Sequence, residues 1–228
     1  MKHVAIKRDA LGIGIAVGAY ALGFGAISVA SGLSVLQTQM LSALMFTGAS
    51  QFALVGVLGA GGGAIAAIAT SWMLGARNGL YALHLAPFFK LKGWKRAAAA
   101  QLTIDESTAM AAGHEGELKA HAFWATGLSV FVLWNLGTFL GAIGAAALGD
   151  PKTLGLDAAI VAGFVALLWP RLKDKTTWAV ALAGAAVALL FTPFLQPGIP
   201  VLLAAIVAVI AGYLTRNDPA YAQDEVSQ

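Results

Sequence analysis

The side chains best able to do chemistry in this chain sit where apolar sequence surrounds them. Thr103, Asp105, Glu106 and Ser107 form the densest polar patch within the apolar stretch 97–113. Neighbouring carboxylates on a helix point about 100° apart, so the two acids can take different roles. One can pair with a cation, while the other, partly desolvated, could exchange a proton near neutral pH. The cation is Arg77, midway along residues 64–89 and followed by Asn78. A charge near a bilayer centre costs at least about 2.5–3.5 kcal/mol, so such residues pair or line a pathway. Two readings stand for Arg77: a structural bridge to Asp105 or Glu106, or a border of a transport path shared with Asn78 and a carboxylate. The acids also have a plainer reading, on an interfacial helix with both facing water. Ser50 and Gln51 in the run Thr47-Gly48-Ala49-Ser50-Gln51 are further candidates, as are His84, Asn135 and Thr138. Asn135 lies mid-span and must find a partner, in a helix–helix contact or in a ligand.

The elements that must hold these residues follow from composition. Of 228 residues, 59% are hydrophobic and 11% charged, with mean hydropathy +0.78. A soluble domain carries about 25% charged residues. Too few charges remain here to coat a water-facing surface. The apolar runs do not alternate, which excludes a membrane β-barrel, and several are long enough for a hydrocarbon core of about 30 Å. The chain reads as an all-α polytopic membrane protein. With no Cys, disulfides, thiol catalysis and thiolate metal sites are excluded. The four His lack metal-type spacing, so neither a metal nor a cofactor is expected. No Walker loop, HExxH or GxSxG occurs, and the chain reads as no enzyme. The net charge of +3 comes from loop Lys and Arg, the usual bias of membrane proteins rather than a nucleic-acid footprint.

The first run, 10–30, exceeds a secretory h-region of about 7–15 residues. It reads as a retained span with a cytoplasmic N-terminus, although Ser28-Val29-Ala30 resembles a cleavage site. Gly14, Gly18, Gly23 and Gly25 along it suit close helix packing. Further runs cover 35–59, 64–89, 97–113, 122–148, 154–170, 176–195 and 199–215. Residues 1–216 make one transport domain and 217–228 a polar, disordered tail. Two runs are cut by polar clusters, at Thr47–Gln51 and at Gly75–Gly79, and such interruptions point to a transporter's midplane site. Basic clusters at Lys2/Lys7/Arg8, Lys90/Lys92/Lys95/Arg96 and Arg171/Lys173/Lys175 can all be cytoplasmic if 35–59 and 97–113 re-enter rather than cross. That leaves about six full transmembrane helices plus interrupted or re-entrant half-helices in the N-terminal half. If both cross instead, 90–96 lies outside.

Phe46-Thr47-Gly48-Ala49-Ser50-Gln51-Phe52 resembles a stretch of the AzlC family, the large subunits of branched-chain amino acid exporters. So do the segment Ala76-Arg77-Asn78-Gly79-Leu80-Tyr81, running on to Pro87, and Asp105-Glu106-Ser107-Thr108-Ala109. Asn135-Leu136-Gly137-Thr138 and Leu156-Asp157-Ala158-Ala159 complete the order. Asn78 and Ile104 depart from the family's common residues. The resemblance implies a bacterial inner-membrane exporter of leucine, isoleucine, valine or other apolar amino acids, with methionine a further candidate. It also implies coupling to the proton gradient and a small AzlD-type membrane subunit as partner. In that frame Ser50, Gln51, Arg77, Asn78 and Asn135 are expected to bind substrate, and Asp105 and Glu106 to couple protons. Phe46, Phe52, Met73 and Tyr81 are candidates for an apolar pocket. A channel and a non-transporting scaffold subunit are the competing readings.

Overall fold

The computed structural model describes residues 2–147, 165, 168–169, 172–195 and 199–215. Among them every regular element is helical: α1 Lys2–Ala30, α2 Val35–Met45, α3 Ala49–Gly59, α4 Ala64–Phe89, α5 Gly93–Gln101, α6 Asp105–Ala112, α7 Gly116–Ala147, α8 Lys175–Phe191 and α9 Ile199–Thr215. α1 and α7, of 29 and 32 residues, are long and apolar enough to cross a membrane. The expected span 154–170 lies outside the described residues except for Val165, Leu168 and Trp169, and the expected tail 217–228 lies wholly outside them.

α1 and α7 lie side by side and parallel. A Cβ on Gly18 would sit 2.8 Å from the Leu133 carbonyl oxygen. Further along, Cβ atoms on Gly25 and Gly141 would collide with the carbonyls of Thr138 and Leu22. Contacts therefore advance along both helices together. The spacings Gly14/Gly18 and Gly137/Gly141 are the small-xxx-small pattern that brings membrane helices into backbone contact. Gly23 faces open space and takes no part.

Aromatic packing fastens the half-helices to this pair. Phe52 on α3 lies 5.2 Å, ring to ring, from both Tyr20 and Phe24, while Phe24 stacks on Trp134 at 5.7 Å. α4 returns to the end where α1 and α7 begin, the near end: Phe89 meets Phe123, and the Lys119 ammonium lies 3.9 Å over the Phe88 ring.

The 35–59 run is divided as its polar cluster suggests, into α2 and α3. At the opposite, far end, Leu33 and Gln37 share one groove with Leu54 and Leu58. α3 therefore comes back to the end from which α2 set out. The expected break at Gly75–Gly79 is absent: α4 runs unbroken for 26 residues. Gly75 serves approach instead, since a Cβ there would lie 3.6 Å from the Ser50 hydroxyl. The 97–113 stretch, read as re-entering or else crossing, is broken at Leu102–Ile104 into α5 and α6.

Large apolar side chains face outward while small polar ones are buried beside the aromatic core. Ser28, Thr38, Ser42, Ser50, Gln51 and Ser107 are fully buried, whereas Leu36, Ile65, Trp72, Leu83 and Val132 are more than half exposed. Water-soluble surfaces rarely carry contiguous large apolar faces. Hydrocarbon favours them and drives polar groups to bond within the protein.

Candidate functional site

Gln51 builds the first break. At Phe46 (φ 26°) and Gly48 (φ 66°) the chain leaves helical geometry, and the third residue of α3 turns back to hold it. Gln51 Oε1 accepts from the Thr47 and Gly48 N–H groups at 3.3 and 3.0 Å, and Nε2 donates to the Leu41 carbonyl at 3.0 Å. These bonds satisfy donors that a helix start would otherwise leave without partners. Ser50 is fully buried behind the break. Its hydroxyl bonds to Thr47, and its carbonyl accepts from Ser71 Oγ at 2.9 Å.

Ser107 builds the second. Its hydroxyl accepts from the Ile104 N–H at 3.1 Å and donates to the Leu102 carbonyl at 2.6 Å. Asp105 and Glu106 thus open α6 rather than lying inside a longer helix. Carboxylates in a first turn complement the positive end of the helix dipole. Gln101, the last residue of α5, donates to the Ala43 carbonyl of α2 at 2.9 Å and ties the two hairpins together.

Arg77 reaches both breaks from the unbroken α4. Nη1 lies 2.8 Å from Asp105 Oδ2, and Nη2 donates to the Thr47 carbonyl at 3.4 Å. The Arg77 side chain is 24% exposed and that of Asp105 33%, so the bridge is only part-buried. Both face a cavity of about 280 Å³ together with Glu106, Thr47, Gly48 and Ala49. The opposite wall is apolar, formed by Val17 and Tyr20 of α1 and Val130 and Trp134 of α7. Phe46 and Ile104 close it. These α1 and α7 positions lie near the middle of their helices, roughly 20–27 Å from the near end at 1.5 Å per residue.

The structure therefore gathers Arg77, Asp105 and Glu106 at one cavity, with Ser50 and Gln51 behind its rim. Asn78 is half-buried and off the lining. Asn135 is likewise off it: its amide donates to the Phe131 carbonyl at 2.8 Å and accepts from Gln39 at 3.0 Å, joining α7 to α2. Thr138 makes a similar link to Ser42 at 3.2 Å. Of the expected apolar lining only Phe46 is present: Phe52 is spent on the aromatic core, while Met73 and Tyr81 lie elsewhere on α4. Sequence reasoning missed Val17, Tyr20, Val130 and Trp134. The paired small-xxx-small spacings carried the available signal, since they bring the middles of α1 and α7 to one depth.

Apolar faces outside, polar groups inside, and two helix breaks meeting at a charged cavity define a helical membrane protein of the transport kind. The family model described as AzlC protein matches residues 12–148. The chain belongs to the AzlC family, a transport-related family associated with branched-chain amino acid export. No curated protein and no solved structure matches it.

Proposed function

We propose that the chain is the large subunit of a secondary active transporter that exports branched-chain or other apolar amino acids across the cytoplasmic membrane. The observation that carries this reading is the Arg77–Asp105 pair, which joins two helix breaks at a cavity midway along α1 and α7.

A zwitterionic apolar amino acid needs a place for its carboxylate, one for its ammonium and a dry wall for its side chain. The start of α3 offers the first. Beyond the Thr47 and Gly48 N–H groups that Gln51 takes, a helix start leaves its leading N–H groups without intrahelical acceptors and favours anions, α3 has no acid in its first turn, and Arg77 stands beside it. Asp105 and Glu106 offer the second, or carry the coupling proton. The wall from Val17 to Trp134 offers the third.

Arg77 is neutralised by Asp105. A substrate carboxylate competes with Asp105 for the same guanidinium, while a substrate ammonium and a proton compete for the carboxylates of Asp105 and Glu106. Cargo and proton thereby exclude each other, as export driven by inward proton flow requires. Gln51 and Ser50 act by holding the rim, and Asn135 ties α7 to α2.

The near end carries Lys2, Lys7 and Arg8 of α1 and Lys90, Lys92, Lys95 and Arg96 around the start of α5, and it faces the cytoplasm under the positive-inside bias. An AzlD-type subunit completes the transporter. The test is efflux of labelled leucine from proteoliposomes holding both subunits, with and without an imposed pH gradient. Saturable, gradient-dependent efflux is expected. Non-saturable flux indifferent to the gradient would replace the transporter with a channel.

A further inference from the structure

The two hairpins that meet at the cavity share one plan. α1 runs from the near end to the far end, and α2–α3 enters from the far end and returns to it. α4 runs the opposite way. α5–α6 then enters from the near end and returns to it, joining α7 through residues 113–115. The breaks, 46–48 and 102–104, are each three residues long with Thr47 or Thr103 at the centre. Each is locked by the third residue of the following half-helix: Gln51 Oε1 takes the Gly48 N–H at 3.0 Å, and Ser107 Oγ takes the Ile104 N–H at 3.1 Å. Gln and Ser differ in length, yet their acceptors serve the same backbone position.

We infer that α4–α6 repeats α1–α3 in inverted orientation, and that the two repeats divide the cavity. The second supplies its charges; the first supplies, at equivalent places, an apolar wall that selects the cargo's side chain. This rests on the transport reading above. Asp105, the first residue of α6, corresponds to Ala49, the first of α3. Arg77, twelve residues before the end of α4, corresponds to Gly18, twelve before the end of α1. A Cβ at Gly18 would be pressed to within 2.8 Å of the Leu133 carbonyl, so α7 forbids a second arginine there. The adjacent Val17 faces the cavity instead, together with Ala49.

A repeat that placed charge on both sides would bind a doubly charged or polar cargo. One charged side and one apolar side suit a zwitterion whose side chain is hydrocarbon. Its head is held at Arg77, the start of α3 and the acids, and its side chain lies against the Val17 side chain and the Ala49 methyl. The volume of those two residues then sets which apolar amino acid fits. Inverted repeats with broken helices at their interface are a known architecture for carrying substrate between two membrane faces.

Uptake of alanine, leucine and phenylalanine by proteoliposomes of the complete transporter tests the selection. Val17→Ala and Ala49→Gly should raise phenylalanine relative to leucine, and Ala49→Leu should lower leucine relative to alanine. Each change in the ratio should be about tenfold or more, the usual effect of one or two methylenes in an apolar pocket. If every variant scales the three substrates by one factor, the selective role is overturned. If the wild-type transporter carries none of them, the transport reading falls and takes that role with it.

The inversion has its own measurement. The chain has no Cys, so Gly63→Cys and Glu115→Cys, at the outer ends of the two hairpins, can be labelled singly with a membrane-impermeant maleimide. Labelling from opposite faces is expected. Labelling from the same face overturns the inversion, whatever the cargo.

Discussion

Arg77 touches both breaks through separate nitrogens, which a lysine cannot do. Its fork meets Asp105 with Nη1 and the Thr47 carbonyl with Nη2, and the planar guanidinium fixes both directions at once. Arg77→Lys keeps the charge but loses one of the two contacts. A hydrogen bond to a charged group contributes about 1.5–3 kcal/mol, so the half-saturating leucine concentration should rise roughly 10–100-fold. Concentration-dependent efflux from proteoliposomes measures it. At the acids, the pH gradient should cease to drive efflux in Asp105→Asn or in Glu106→Gln. Wild-type gradient dependence in both variants would remove them from proton coupling. These residues were legible in the sequence because a charge inside an apolar run has few innocent explanations. Their apolar neighbours were not, since Val17 or Val130 looks like any other core residue until its helix partner is known.

The half-helices depend on their internal locks, and the long helices on bare glycine contacts. Gln51→Ala leaves the Thr47 and Gly48 N–H groups without their acceptor, at about 1–3 kcal/mol for a buried group. In detergent-solubilised protein this should appear as a lower unfolding midpoint, and Gln51→Glu should recover part of it by restoring the acceptor. Gly141→Leu forces a side chain into the Leu22 backbone and should cost about 1–3 kcal/mol or more as overpacking. Gly23→Ala, in open space, should be neutral or stabilising by up to about 1 kcal/mol through helix propensity. The same thermal assay separates them: if both glycine variants shift the midpoint alike, the α1–α7 contact is misassigned.

Helix breaks were legible only where polar residues marked them. Thr47–Gln51 announced the first. Gly75–Gly79 gave the same compositional signal without a break, because Gly75 makes room for Ser50 and Arg77 needs an intact helix to project from. Leu102-Thr103-Ile104 is short and mostly apolar, so composition did not place this break, although the basic clusters already allowed 97–113 to re-enter. The lock that creates its break, Ser107, reads as an ordinary helical residue.

Across the molecule, two hairpins enter from opposite ends and stop at the same depth. Irregular backbone is tolerated at membrane depth where it is buried in protein or faces a water-filled cavity. Here both breaks border the cavity that holds the charge pair. Cargo is expected to occupy this cavity. In the cysteine-free chain, Ala49→Cys places a single thiol on its lining, close in size to the native residue. The rate at which a small thiol reagent modifies it, in membranes holding the complete transporter, is the direct test. Leucine should slow the reaction, with half-protection at the concentration that half-saturates efflux. Modification that proceeds at an unchanged rate under saturating leucine would place the cargo outside this cavity.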